Sequence, residues 1–430
     1  MDPAVLILLG SFLIMLVIRI PIAFALGLSS MFTAFYVGLS PMVIVQQMVS
    51  GINSFSLMAI PFFIIAGEIM GKGGISDRLI KFSNVMIGWM RGGLAMVNIL
   101  ASMFFGGISG SSVADVSSIG SIMIPMMEKA GYDKDYSINV TITSSVQGII
   151  IPPSHNMIIY SLAAGGGISV ARLFLAGIVP GVLLGVALMI LSHHIAVKRD
   201  YPREKTVSLK ESLIIVRDSI LGLLTAVIII GGVTTGIFTA TESAAVAAVY
   251  AFILTFFVYR DIKLIKLIDI LKNSLSTIAM VVAIIATSSS FAWMMSYLQV
   301  PRMITNTLLG ISENPIIILL LVNLVLLLLG MIMDMAPLIL IATPILLPVV
   351  TSVGMNPITF GVVMMLNLGV GLLTPPVGST LFVGCSIGGA PIEDIAKSLM
   401  PFYMVLVIMV LLLTFVPEIT LFLPRLLMGI

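Results

Sequence analysis

The feature that most constrains the fold is a long apolar stretch, broken by helix-disrupting residues, that occurs twice. Residues 106–156 open with the glycine- and serine-rich run GGISGSSVAD and close with IIIPPSHN. The same layout returns 223 positions later without a gap, so that the pair Pro152–Pro153 matches Pro375–Pro376. Self-similarity at a fixed period indicates an internal repeat. Further matched positions are Gly107 and Gly330, Pro125 and Pro348, Gly131 and Gly354, Gly148 and Gly371, and 165–166 with 388–389.

The breaks lie in a chain whose composition is that of a membrane protein. Hydrophobic residues make up 59% of the 430 positions and charged residues only 9%, against about 25% charged residues in a soluble domain. Long uncharged blocks such as 6–17 and 402–413 predict membrane-spanning helices rather than the alternating strands of a barrel. The formal net charge of +2 gives no support for a nucleic-acid partner, and the single Cys385 allows no internal disulfide.

Helix breakers inside membrane sequence point to a function. Freed backbone groups are tolerated within a bilayer only where protein or a water-filled cavity satisfies them. Paired interruptions in the two halves of a membrane protein are the strongest sequence indication of a transport site.

Four apolar segments are too long to be simple spans. Segments 94–127 and 316–350 exceed the roughly 20 residues that cross a bilayer, and each has a polar break at its middle. We expect each to be a re-entrant helical hairpin; the alternative is one long tilted span. Segments 136–165 and 358–390 contain the double prolines, which remove backbone donors, so we expect two transmembrane helices broken near the midplane.

The distribution of Lys and Arg predicts the topology. With the N-terminus outside, the first hairpin entering from the cytoplasm and the second from outside, 18 of the 21 Lys and Arg residues fall on the cytoplasmic side, as the positive-inside rule requires. The exceptions are Arg172, Arg302 and Arg425. Since repeat-related loops differ in charge, the two copies are predicted to be inverted relative to one another.

The predicted architecture is therefore an all-α polytopic membrane protein built from two inverted repeats. The first repeat is residues 1–197, a polar cytoplasmic linker is 198–217, and the second repeat is 218–430. Segments 75–89 and 260–275 mix Lys and Arg with Ile, Leu and Phe, which predicts helices lying along the headgroups. The alternative for both is an ordinary connecting loop.

The predicted hairpin tips carry the chemistry. In the first hairpin we expect one arm to end near Phe105–Gly106 and the next to begin at Ser109–Ser112. Helix C-terminal carbonyls attract cations and N-terminal amides attract anions, and serines are favoured caps. The second tip repeats this arrangement with Gly330, with Asp334 as cap and with Pro337 in the first turn.

Each tip is expected to face its own broken span, which forms a cage of carbonyls, hydroxyls and an amide suited to Na⁺. Between the cages, helix N-termini would attract an anionic carboxylate. The alternative is that these small residues only allow close helix packing. The predicted Na⁺ ligands are Gly107, Ser109, Ser111, Ser112, Pro152, Asn156, Gly330, Asp334, Thr374, Pro375 and Gly378. The predicted substrate-binding residues are Ser111, Ser154, Asp334 and Ser379.

Ionisable residues within spans are costly and usually functional. Asp334 is the strongest acidic candidate, and Asp115 lies one turn into the second arm of the first hairpin. Glu242 either lies in a membrane break or caps a helix beside Thr241 and Ser243. His155 is expected to be hydrogen-bonded structure. No metalloprotease motif, nucleotide-binding loop or Cys/His cluster is present, so we expect no enzyme and no cofactor.

Five runs, in order along essentially the whole chain, make it resemble a known family. They are FSLMAIPFFIIAGEIMGKGGIS at 55–76, GGISGSSVADVSSIG at 106–120, IPPSHNMIIY at 151–160, LFLAGIVPG at 173–181 and GLLTPPVG at 371–378. The chain resembles the large membrane (M, DctM-like) subunit of TRAP, or tripartite ATP-independent periplasmic, transporters. His155, after the first double proline, is a local oddity.

The resemblance implies a multi-pass secondary transporter of the bacterial inner membrane with an elevator mechanism and Na⁺ as coupling ion. It also implies a small four-helix membrane partner (the Q subunit) and a periplasmic substrate-binding protein. Sialic acid, C4-dicarboxylates and sugar acids are all compatible substrates. One alternative is a stand-alone ion-coupled exchanger or channel with the same repeats. Another is an intramembrane enzyme, for which Asp115 with Asp334 is the candidate pair.

Overall fold

The protein is helical throughout the residues that the computed structural model describes, which are 3–203, 207–312 and 314–429. Within them an isolated bridge between Arg91 and Arg203 is the one β-type pairing. The first half contains a 3₁₀ turn, Phe55–Met58, and a π-helical segment, Val116–Gly120; the second contains a π-helical segment, Leu254–Tyr259.

The helices of the first half are α1 (Pro3–Val17), α2 (Ile22–Tyr36), α3 (Pro41–Ile52), α4 (Ala59–Lys72), α5 (Ile75–Ile87), α6 (Gly93–Ser109), α7 (Ser112–Asp115), α8 (Ser121–Lys129), α9 (Lys134–Ser144), α10 (Gln147–Ile150), α11 (His155–Ala163) and α12 (Val170–Lys198). The helices of the second half are α13 (Leu209–Thr234), α14 (Ala240–Ile253), α15 (Lys266–Tyr297), α16 (Val300–Ile311), α17 (Pro315–Gly330), α18 (Met335–Ser352), α19 (Pro357–Gly371), α20 (Ser379–Gly388), α21 (Ile392–Ser398), α22 (Met400–Phe415) and α23 (Glu418–Met428).

The element order repeats with the period predicted from the sequence. Helix α9 begins at Lys134 and α19 at Pro357, which is 223 positions later. Each is preceded by a turn with a glycine at φ +90°, Gly131 in one copy and Gly354 in the other. That left-handed conformation favours glycine, so the repeated glycine marks a repeated turn.

The first long apolar segment is broken at its middle. Helix α6 is closed by Gly110, which has φ +64° and donates its N–H to the Gly106 carbonyl at 3.0 Å, as a left-handed C-terminal cap does. Ser111 then caps α7, accepting a hydrogen bond from the Ala114 N–H at 3.3 Å. The predicted end of this arm near Phe105–Gly106 is wrong, because the helix continues to Ser109.

The second long segment is broken in the same way. Helix α17 ends at Gly330 and α18 begins at Met335, and the two helices contact one another. Asp334 occupies the N-cap position of α18, but its side chain makes no capping hydrogen bond. The expectation of a capping carboxylate is thus correct for the backbone position and wrong for the side chain.

One of the two predicted surface helices is misplaced. Segment 75–89 contains α5, but residues 266–275 form the start of α15, which runs unbroken for 32 residues. The segment that corresponds to α5 by the 223-residue period is α16, which the sequence analysis missed. Its single charge, Arg302, gives no basic signal, although its apolar residues lie on one face.

Length and hydropathy make the chain a multi-pass membrane protein. Among the described residues, six helices are long and apolar enough to span a bilayer, and α21 with α22 forms a further candidate bent by 58°. The six are Phe55–Lys72, Val170–Lys198, Leu209–Thr234, Ala240–Tyr259, Lys266–Tyr297 and Met335–Ser352.

Two groups of helices surround the breaks. In one group, α15 contacts α2, α3 and α4, and α4 contacts α14. In the other, α12 contacts α6, α10, α19 and α22. Both groups contribute to one continuous apolar core, and α18 contacts α15 as well as α17 and α19.

Candidate functional site

The first break contacts the first double proline through backbone atoms. A Cβ atom built on Gly106 would lie 2.3 Å from the Cα of Gly148, and one built on Gly110 would lie 2.8 Å from the carbonyl oxygen of Pro153. Both distances are shorter than real Cβ contacts, so only glycine permits this approach. The tip of the first predicted hairpin therefore faces its own predicted broken span.

The second break repeats the contact. A Cβ atom on Gly371 would lie 2.5 Å from the carbonyl carbon of Gly330. Beside it, the Val377 N–H donates to the Met331 carbonyl at 3.2 Å. The chain just after the second double proline is thus hydrogen-bonded to the second tip.

Side chains join the two copies across the site. The hydroxyl of Ser112, at the first tip, lies 2.6 Å from that of Ser145 and 3.0 Å from that of Thr380. Thr380 lies in α20, which follows the second double proline. The first copy also contacts the second elsewhere: α11 contacts α18, and the Tyr160 hydroxyl donates to the Pro357 carbonyl at 2.6 Å.

The predicted site residues differ in exposure between the copies. In the first copy Ser111 is half-buried and the others are buried, whereas in the second copy Asp334 is exposed. Buried in the first copy are Gly107, Ser109, Ser112, Pro152, Ser154 and Asn156. In the second copy Gly330 and Gly378 are buried, and Thr374, Pro375 and Ser379 are half-buried.

Two of these polar groups have no partner within the described part of the chain. The hydroxyls of Ser154 and Ser379 are buried, and no described residue forms a hydrogen bond with them. By contrast, Thr374 donates to the Val370 carbonyl at 2.8 Å, and Ser109 accepts weakly from the Ser111 N–H at 3.5 Å. Unpartnered buried hydroxyls next to interrupted helix ends provide oxygen ligands for a hard cation.

Sequence reasoning missed the polar lining supplied by α9 and α20. Ser145 and Thr380 bind Ser112, and the hydroxyl of Ser144 donates to that of Ser102 at 3.1 Å. All five side chains are buried. The signal was present in the run SINVTITSS at 137–145, which is unusually polar for a buried helix.

The remaining ionisable candidates are resolved by their contacts. Glu242 accepts hydrogen bonds from the Thr239 N–H at 2.8 Å and hydroxyl at 2.9 Å in a complete capping box, so its capping interpretation is confirmed. Asp115 is fully buried in the second arm of the first break. No hydrogen bond or ion pair between described residues joins Asp115 to Asp334.

Three ion pairs join residues that the predicted topology places on the cytoplasmic side. Arg78 contacts Asp261 at 2.5 Å, and Arg199 contacts Asp133 at 2.8 Å. Arg91 also pairs with Asp200.

A surface cavity of about 620 Å³ lies away from the breaks. Its walls carry charges of both signs, among them Lys81, Arg78 and Asp218. No predicted site residue lines it. The breaks themselves are packed together and do not open into this cavity.

Comparison with known proteins decides the family. The sequence family described as the tripartite ATP-independent periplasmic transporter, DctM component, matches residues 9–419. The chain belongs to this TRAP transporter family. Its expected membership is thereby confirmed, and the chain is a TRAP large permease, a class of transport proteins.

Curated relatives cover nearly the full chain. The uncharacterized protein YgiK of Salmonella typhimurium is 43% identical over 426 residues, which are 98% of this chain and 97% of that protein. The sialic acid TRAP transporter large permease protein SiaM of Vibrio cholerae is 39% identical over 89% of this chain and 90% of its own length. The C4-dicarboxylate TRAP transporter large permease protein DctM of Vibrio cholerae is 37% identical over 96% of each.

Solved transporters of distant sequence share the fold. The Alcanivorax borkumensis YdaH transporter superposes with a TM-score of 0.63 at 12% identity, covering 85% of this chain and 86% of that one. The Neisseria gonorrhoeae efflux pump MtrF superposes with a TM-score of 0.62 at 13% identity, covering 87% of this chain and 84% of that one.

TRAP large permeases work with a small membrane subunit and a periplasmic binding protein.

Proposed function

We propose that this large permease imports an organic acid across the bacterial inner membrane, driven by Na⁺. The observation that carries the proposal is that each break contacts the helix end that leads into its own double proline, at Gly106 with Gly148 and at Gly330 with Gly371. In this proposal the breaks are tips of re-entrant hairpins and the two copies are inverted. The hairpins and broken spans move together as an elevator against the remaining helices.

Sodium is the coupling ion that suits these groups. The ligands are carbonyls, hydroxyls, the Asn156 amide and the Asp334 carboxylate, and such oxygen atoms bind hard cations. The free hydroxyls of Ser154 and Ser379 lie at the starts of α11 and α20. Each Na⁺ that crosses with the membrane potential contributes roughly 2.3 kcal/mol per 100 mV.

The substrate class follows from helix polarity and from the relatives. Helices that begin at the breaks direct free N–H groups toward the site, which favours an anion. Similar permeases are described as transporters of sialic acid, C4-dicarboxylates and 2,3-diketo-L-gulonate, all of which are carboxylates. We therefore infer a carboxylate substrate, with the binding protein selecting among acids.

The partners are those of the family. A small four-helix Q subunit would associate with the exposed apolar faces, and a periplasmic binding protein would deliver the acid. Such faces include α2 and α13, where Phe24 is 65% and Val227 59% exposed. Lipid covers the faces that the Q subunit leaves free.

The decisive experiment is uptake by proteoliposomes that contain the permease and its Q subunit, with the binding protein added outside. A panel of radiolabelled acids is supplied with an inward Na⁺ gradient or with K⁺ in its place. We expect accumulation of one acid only when Na⁺ and the binding protein are both present. Accumulation without the binding protein would favour the stand-alone exchanger, and accumulation of no acid would end the proposal.

Asp334 provides a test of the site. Because its exposed carboxylate makes no cap bond, Asp334→Asn should leave stability within about 0.5 kcal/mol. Uptake should fall at least about tenfold, which corresponds to roughly 1.4 kcal/mol. The matched control is Asp394→Asn, another exposed carboxylate outside the site. Unchanged uptake in the Asp334 variant would remove this residue from the site.

A further inference from the structure

Asp115 is a buried carboxylate outside the predicted Na⁺ and substrate sites. Its side chain has 0% exposure, and among the described residues neither carboxylate oxygen has a hydrogen-bond partner of normal geometry. None of the ion pairs between described residues includes it. Leaving an ionised carboxylate buried and unpaired costs several kcal/mol, so the folded protein must neutralise this charge.

The groups around Asp115 are hydroxyls. The Ser102 side chain, on α6, faces the carboxylate and accepts a hydrogen bond from the Ser144 hydroxyl at 3.1 Å. Ser102 and Ser144 are both fully buried. Three helices thus contribute oxygen atoms to one enclosed polar region beside the π-helical segment Val116–Gly120.

The carboxylate of this region has no counterpart in the second copy, although Ser144 corresponds to the buried amide of Asn367. The positions 223 residues later are Leu338 for Asp115 and Val325 for Ser102. Leu338 is itself a buried core residue, at 1% exposure. The carboxylate is therefore an addition to the first copy and does not belong to the pair of cages that the repeat creates.

We propose that Asp115 binds a Na⁺ ion of its own, with the hydroxyls of Ser102 and Ser144 as further ligands. One carboxylate balances one positive charge, so the buried pair is neutral, and carboxylate and hydroxyl oxygens are the ligands that hard cations prefer. This inference rests on the proposed Na⁺-driven function and adds one ion to the two cages. The ion would lie in the second arm of the first break, one turn beyond Ser112.

The test measures how many Na⁺ ions accompany each acid molecule. Proteoliposomes with the permease, Q subunit and binding protein are held at set membrane voltages, and the Na⁺ gradient that just stops net acid uptake is determined. Asp115→Asn should lower the number of Na⁺ ions per acid by one, whereas Asp394→Asn should leave it unchanged. An unchanged number in the Asp115 variant, or a loss of one proton in its place, would overturn the proposal.

A binding measurement keeps the test valid if the variant does not transport. Asp115→Leu copies the second repeat and removes a buried charge, a change that is often neutral or stabilising. The thermal unfolding midpoint of the purified complex is compared in NaCl and in choline chloride. Na⁺ should raise the unfolding midpoint less in Asp115→Leu than in wild type. An equal increase in the two proteins would contradict the site. Uptake by the wild-type protein that does not depend on Na⁺ would instead refute the proposed function. The unfolding measurement would still show whether Asp115 binds Na⁺.

Discussion

The two breaks share a backbone arrangement but differ in their chemistry. At the first, Gly106 meets Gly148 and the surrounding helices contribute a buried network of hydroxyls centred on Ser112. At the second, Gly330 meets Gly371, but Asp334 at the tip is exposed. The helix lining each break shows the same contrast, since SINVTITSS at 137–145 corresponds to FGVVMMLNL at 360–368.

This difference shows what duplication preserves and what it leaves free. Gly148 and Gly371 and the two double prolines are kept at matched positions, where the backbone approaches most closely, whereas Gly106 corresponds to Leu329 and the side chains around the crossing have diverged. The first copy places polar side chains within the protein, and the second presents a carboxylate at its surface. Substitutions at the two breaks can therefore separate backbone fit from side-chain chemistry.

The largest effect is expected from the backbone crossing. Gly106→Ala would push a methyl group to 2.3 Å from the Gly148 Cα and should destabilise the protein by about 1–3 kcal/mol. In Gly330→Ala the new atom would lie 3.4 Å from the Gly371 Cα, an ordinary contact, so stability should be unchanged or rise by up to about 1 kcal/mol. Thermal unfolding of the purified proteins measures both, and equal losses would mean that Gly330 tolerates a methyl group no better than Gly106 does.

A smaller effect is expected from the hydroxyl network. Ser112→Ala removes contacts to Ser145 and Thr380 and should cost about 0.5–1.5 kcal/mol for each hydrogen bond lost. Ser379→Ala removes a hydroxyl that has no partner, so stability should stay within about 0.5 kcal/mol. Thermal unfolding again provides the comparison. If Ser379→Ala proves the more damaging change, the network does not distinguish the two copies.

The smallest effect concerns the entrances to the two broken spans. Asp133 accepts hydrogen bonds from the Tyr201 hydroxyl at 2.6 Å and from Arg199 at 2.8 Å, and these partners hold the pKa of Asp133 below its ordinary value of 3.8. A carboxyl group whose pKa is lowered by folding stabilises the folded state at pH values above its ordinary pKa. This stabilisation is lost as the pH falls through the lowered pKa. Because Asp133 is partly exposed, Asp133→Asn should cost only about 0.2–1 kcal/mol at pH 7.

The matched control for Asp133 is Asn356, which occupies the corresponding cap in the second copy. Its side chain accepts from the Ile358 N–H at 2.8 Å and carries no charge. Unfolding midpoints are followed from pH 7 to pH 3. The difference between wild type and Asp133→Asn should shrink below pH 3.8, whereas the cost of Asn356→Ala should not depend on pH. A constant cost for Asp133→Asn would show that the charge contributes nothing.

The sequence predicted the breaks because their cause is local. Glycine at Gly110 and the double prolines limit the helix whatever surrounds them, so the positions of the breaks follow from residue type. The exact end of α6 does not, because three further residues remain helical until the left-handed Gly110 ends the helix. Such an end depends on tertiary contacts with the chain around Pro153.

The hydrogen-bond partners at the candidate site were harder to predict than the breaks. Ser112 was identified from its position at a tip, but its partners Ser145 and Thr380 lie 33 and 268 positions away. Nothing in the spacing of those residues indicates that they meet. Asp334 was expected to cap a helix from its residue type, yet local propensity does not determine where an exposed side chain points.

The length of α15 has a consequence for the surrounding bilayer. At 1.5 Å per residue its 32 residues measure about 48 Å, against about 30 Å of hydrocarbon. Fitting that rod inside the hydrocarbon would require a lean of roughly 50°, beyond the usual 0–40°. Its first turns, which carry Lys266 and Lys272, would therefore extend into the phospholipid headgroups, where basic side chains are attracted to anionic lipid.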